Sequence, residues 1–187
     1  MKNLKISALA LITIITFSSC SSDDTATLVN EEEVITTVTA TFTPQGGGTA
    51  IVLTSRDLDG DGPDAPVVTV SGNFTKGAVY NGAVTFLNEL ETPAGNITEE
   101  VFEEGHEHQL FYIQAGLGTF AYTDTDVNGN PIGLSFTYTA TPNAATGNLT
   151  IRLIHEPNKD AEGVAQGIIT NAGGSTDAEV VFNVSVQ

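Results

Sequence analysis

Residues Val34-Ile35-Thr36-Thr37-Val38-Thr39-Ala40-Thr41-Phe42 form a β-branched run in which apolar and hydroxyl side chains nearly alternate. Alternation with a period of two predicts a strand with one buried face. The same signal recurs at residues 50–54, after the turn Gly46-Gly47-Gly48, and at 66–70 and 79–87, the last interrupted by Asn81-Gly82. It returns at 110–114, 120–123, 134–139, 149–154 and 179–186. Clusters of Gly, Pro, Asn and Asp separate these runs at the spacing of an antiparallel sandwich. One short helix is predicted, capped by Asn96 with Glu99 three residues on and ended by Gly105. At two turns it must lean on the sheets to persist. The pattern predicts an all-β, antiparallel, immunoglobulin-like sandwich of eight or nine strands with one short helix, spanning residues 33–187.

The first 19 residues follow a different pattern. Lys2 and Lys5 precede an apolar stretch at 6–17, and Ser18-Ser19 supply small residues before Cys20, the single cysteine of the chain. The apolar stretch is too short to span a bilayer and matches a cleaved export signal. Phe17-Ser18-Ser19-Cys20 resembles a lipobox, in which the cysteine thiol takes the lipid. The expectation is a signal peptide over 1–19, a lipidated flexible tether over 20–32 with Cys20 as the anchor, and no thiol in the domain itself. Disulfides and cysteine-based metal sites are then excluded. Ser21-Ser22-Asp23-Asp24-Thr25-Ala26 resembles the surface-export signal of Bacteroidota lipoproteins, and Asp24-Thr25-Ala26 their O-glycosylation pattern. Ser/Asp/Thr composition also makes this stretch a plain polar tether.

Charge narrows the partners. The chain has 23 acidic and 6 basic residues; without Lys2 and Lys5, 23 stand against 4, a net charge of about −19. Such a surface repels nucleic acid and anionic headgroups and attracts cations.

A resemblance covers most of the chain. Glu31-Glu32-Glu33-Val34-Ile35-Thr36-Thr37, Arg56-Asp57-Leu58-Asp59-Gly60-Asp61-Gly62, Asn96-Ile97-Thr98-Glu99-Glu100, Glu107-His108-Gln109, His155-Glu156-Pro157-Asn158-Lys159 and Ile169-Thr170-Asn171-Ala172-Gly173-Gly174 resemble a family of small Bacteroidota surface lipoproteins. Members sometimes carry the label "type 1 periplasmic binding fold", which implies a Rossmann-like α/β architecture at odds with the strand-rich pattern here. The resemblance implies a lipoprotein with a β domain, anchored in the outer membrane at the cell surface and working beside an outer-membrane transporter. It brings no catalytic residues.

Catalytic motifs are missing: there is no Gly-x-Ser-x-Gly elbow, Cys-His pair, phosphate loop or His-Glu-x-x-His. A carboxylate pair for glycoside hydrolysis has many candidates among 23 acids, but zero Trp and four Tyr leave few platforms for sugars. The expectation is a protein that is not an enzyme.

Two constellations point to a divalent cation. Asp57, Asp59 and Asp61, with Gly60 and Gly62, reproduce the first half of an oxygen-rich calcium loop, and Asp64 is a further donor. Asp124, Asp126 and Asn128 repeat the spacing. Both lack the closing Glu, the twelfth positions being Val68 and Ser135, so a complete EF-hand is excluded. Hairpin turns built on Asp, Asn and Gly read the same way. The other constellation is histidine. His106 and His108 on a strand would project from one face about 7 Å apart, and His155 ends another strand beside Glu156. Imidazoles with a carboxylate suit zinc or copper; strand-end polar residues are the plainer reading of the same positions.

The long connection from Pro157 to Asp177 is expected to pack over the sandwich end through Val164, Ile168 and Ile169, with binding open at its start, residues 155–159. The function expected is a non-enzymatic binding module that captures a divalent metal (calcium, zinc or copper) or a metal complex beside a transporter. A surface adhesion or structural protein, or a glycan-binding accessory of polysaccharide uptake, are the alternatives.

Overall fold

The computed structural model describes residues 33–60 and 62–187. The signal peptide, Cys20, the tether and Asp61 lie outside the described residues. Nine strands form among the rest: β1 Thr37–Pro44, β2 Ile51–Arg56, β3 Val67–Val70, β4 Val79–Leu87, β5 His108–Ile113, β6 Gly118–Tyr122, β7 Ser135–Ala140, β8 Ala145–His155 and β9 Ser175–Val186. Each answers to an alternating run in the sequence, and the architecture is the all-β sandwich those runs predict. One antiparallel sheet has the order β3-β2-β1-β4-β7-β6 and the other β5-β8-β9. Six and three is the division here, where an immunoglobulin constant-type domain has four and three.

The alternation sets the core directly. Val38, Ala40 and Phe42 of β1, and Tyr80, Val84 and Phe86 of β4, face the small sheet and are buried. Leu110, Leu149, Ile151, Leu153, Phe182, Val184 and Val186 meet them from the other side. Phe42 packs edge-on against Phe74, Phe136 and Tyr138, with centroids 4.9–5.6 Å apart. The pair Asn81-Gly82 does not interrupt β4. The strand runs through it, paired with β1 and β7, and a Cβ on Gly82 would lie 2.0 Å from the Phe136 ring. Glycine here makes room for an aromatic side chain.

The helix α1 Ile97–Glu103 buries Ile97 and Val101. Asn96 starts it without a side-chain cap; its carbonyl accepts the Glu99 N–H at 3.1 Å. Thr98 fastens the helix to β4, accepting from Phe86 N at 2.8 Å and donating to Phe86 O at 3.1 Å. Glu104 caps the C-terminus, and a turn over 104–107 leads into β5.

The segment 157–174 covers the outer face of the small sheet, not the end of the sandwich. Val164, Ala172, Ala161 and Ile169 pack on Phe111 and Ile154, while Ile168 stays exposed. Gln109 donates to the Val164 carbonyl at 2.8 Å. The outer face of the small sheet is thus covered around Phe111 and Ile154, at its β5–β8 end, while Ile113 and Val181 farther along it stay exposed.

Candidate metal centre

β5 and β8 pair so that His108 lies opposite His155, one step beyond the core pair Leu110 and Leu153. Side chains two residues apart on a strand share a face. Both imidazoles therefore point the same way as those leucines, toward the six-stranded sheet. Their ring centroids are 4.6 Å apart with planes at 37°. The His108 side chain is 0% exposed and that of His155 4%.

The third member is Asp177, and a β-bulge delivers it. On β9, Thr176 pairs with Ile154 and Ala178 with Leu153, so Asp177 is the extra residue without a partner on β8. Plain alternation would send it outward, opposite Ala178. The bulge turns it in, and its side chain is 0% exposed. Gly174, at φ 71, makes the approach to this corner: a Cβ there would lie 2.1 Å from the His155 carbonyl oxygen.

The polar atoms converge. His108 Nε2 lies 3.5 Å from Asp177 Oδ2, and His155 Nδ1 lies 3.7 Å from Asp177 Oδ1. One donor atom from each of the three residues falls within 4.8 Å of the others. His108 Nε2 and both Asp177 oxygens are buried without a hydrogen bond. The contacts are ion-pair distances, too long for full hydrogen bonds. The second nitrogen of each ring has an oxygen from the 104–107 turn: His108 Nδ1 faces the Glu104 carbonyl at 3.2 Å, and His155 Nε2 faces Glu107 Oε2 at 3.8 Å. A carbonyl only accepts, so it holds the proton on His108 Nδ1. The Nε2 lone pair of the neutral ring then points at a carboxylate, and that arrangement requires a cation between them, either a proton or a metal ion. Imidazoles that bind metals have this pattern, one nitrogen toward the ion and the other donating to a carbonyl or carboxylate.

Electrostatics follow the same logic. Burial alone pushes the His108 imidazole down, but Asp177 and the Glu104 carbonyl outweigh it, and its pKa is raised. Burial and the Glu100 carboxylate push the Glu33 carboxyl up to about 7, with His108 opposing. The centre has an acidic border.

Two residues expected in this constellation are elsewhere. His106 lies in the turn, not on a strand, so it does not share a face with His108; it is 47% exposed and meets Glu107 Oε1 at 3.2 Å. Glu156 is exposed, and its backbone, at φ 51, turns the chain directly after His155. Its N–H donates to Glu107 O at 2.6 Å. Asp177 supplies the carboxylate instead. It fell in the connection before the predicted strand 179–186, and a bulge leaves no mark on local alternation.

The aspartate turns are differently employed. Asp57 Oδ1 accepts the N–H groups of Asp59 and Gly60 at 3.2 and 3.0 Å, and Asp59 Oδ2 accepts that of Asp64 at 3.2 Å. These carboxylates brace their own turn, and among the described residues they do not converge on a common point. The second turn already holds a cation. Asp126 Oδ1 accepts from Asn128 N and Asn130 N, while its Oδ2 takes the buried Lys159 ammonium at 2.9 Å. Lys159 also donates to the carbonyls of Gly105 and Pro131. Asp124 accepts from Gly133 N and Ser135 N, and Asn128 is exposed. The start of the long connection is thus a clip that fastens the 104–107 turn. Comparison of the chain with protein-family models, curated proteins and solved structures finds no match.

Proposed function

We propose that this protein is a lipid-anchored outer-membrane protein, displayed at the cell surface, that binds one divalent transition-metal ion through His108, His155 and Asp177. It performs no chemistry of its own and presents the ion, or a complex of it, to an outer-membrane transporter. The observation that carries the reading is the pair of buried imidazoles aimed at one buried carboxylate, each with its outer nitrogen turned to an oxygen of a single turn. Zinc bonds of about 2.0–2.1 Å at tetrahedral angles set donor atoms about 3.3 Å apart. The His–Asp separations of 3.5 and 3.7 Å are near that, and the three donor atoms, which lie within 4.8 Å of one another, draw together on the ion. Two nitrogens and a carboxylate suit zinc or copper, whereas calcium takes six to eight oxygens. The anchor rests on Cys20 and its flanks, and the non-enzymatic reading on the missing catalytic motifs.

Elemental analysis and calorimetry on the purified protein test this. One equivalent of zinc or copper should bind. His108→Ala, His155→Ala and Asp177→Asn should each weaken binding by more than about a hundredfold, since even outer partners of metal ligands are worth 10–100-fold. Asp59→Ala should leave it intact; equal loss from all four would make diffuse charge the cause. Cys20→Ser protein that still fractionates with the outer membrane would overturn the anchor.

A further inference from the structure

Glu107 touches two imidazoles at once. Its Oε1 lies 3.2 Å from His106 Nε2 at the surface, and its Oε2 lies 3.8 Å from His155 Nε2 in the interior. The Glu107 side chain is 43% exposed, close to the 47% of His106, whereas the side chains of the three residues of the centre are at most 4% exposed. A centre whose side chains are buried needs a route for its ion, and the Glu107 carboxylate joins His155 of that centre to a solvent-facing donor, His106.

We propose that His106 and Glu107 form a loading gate, a transient two-ligand surface site through which a divalent metal ion enters and leaves the buried centre. The inference rests on the metal-binding reading above. A hydrated ion exchanges water for His106 Nε2 and a Glu107 oxygen, one nitrogen and one oxygen donor at the distance of adjacent ligands. The Glu107 carboxylate then carries it past His155 as the His106 bond is released, and it reaches the nitrogens and the carboxylate that hold it. The surrounding acids Glu103, Glu104 and Glu156 are exposed and raise the local cation concentration at this mouth. The backbone of the gate is fixed: Glu107 N donates to Glu104 O at 2.8 Å, and Glu107 O accepts Glu156 N. Movement is therefore confined to the two side chains.

A gate changes rates in both directions and leaves the end points alone. Zinc uptake and release should be followed by stopped flow against a chromophoric chelator. His106→Ala removes the surface nitrogen donor of the gate. Association and dissociation should both slow by roughly tenfold, with the dissociation constant unchanged. If the wild type takes up zinc and His106→Ala matches its rates, the gate is wrong and the centre stands. If His106→Ala loses affinity at an unchanged association rate, His106 is a ligand of the final site and the gate is again wrong. If the wild type takes up no zinc, both readings fall together.

Discussion

His108 and His155 are register partners across the β5–β8 ladder, with ring centroids 4.6 Å apart beneath the protein surface. Direct opposition is the closest placement an antiparallel pair offers two side chains. Here it brings two bases together in a dry place, where Asp177 supplies the opposing charge.

If the proposed site binds its ion, that charge should give apo-protein and metal-loaded protein opposite responses to pH. The folded pKa of His108 lies above its ordinary value, so its protonation stabilises the apo fold. The contribution is complete below the unfolded imidazole value of ~6.5 and is lost as pH rises through the folded value. Metal affinity runs the other way, because protons compete for the same lone pairs. Urea midpoints should fall with rising pH across this window without metal, and the stabilisation by added zinc should grow. Asp177→Asn should flatten the apo slope; an unchanged slope would mean that Asp177 does not hold the proton.

Much of this was legible locally. The nine strands show as alternating runs, since burial of one face imposes a period of two that needs no knowledge of partners. Val38, Ala40 and Phe42 can be assigned to the core from their own segment. The residues that complete the centre cannot. Whether His108 meets His155 depends on a strand pairing across 47 positions, and Asp177 turns inward only because of a bulge in β9. Glu156 follows His155 in sequence but is exposed, and the carboxylates of the two aspartate turns are taken by backbone N–H groups and by Lys159. Asn81-Gly82 reads locally as an interruption of the strand because the Phe136 ring that explains Gly82 lies on another strand.

Lys159 should prove a principal support of the site. Replacing it by Met leaves the Asp126 carboxylate and two buried carbonyls without their ammonium. Breaking one side of a buried ion pair typically costs about 3–5 kcal/mol. Urea unfolding should show a loss of that order, and zinc affinity should fall as well, because Lys159 fastens Gly105 in the turn that orients both imidazoles. A stability change under about 0.5 kcal/mol would place it among ordinary surface residues.

Gly82→Ala should cost about 1–3 kcal/mol by overpacking against Phe136. Ala83 lies one residue on and faces outward, so Ala83→Ser should change stability by less than about 0.5 kcal/mol. Equal effects at the two positions would show that the Phe136 ring yields freely.

The most direct measurement is anomalous scattering at the zinc edge from crystals of the zinc-loaded protein. A single strong peak should lie about 2.0–2.1 Å from His108 Nε2, His155 Nδ1 and an Asp177 oxygen. A peak at the Asp57 turn, or zinc-soaked crystals with no peak between the two imidazoles, would contradict the assignment.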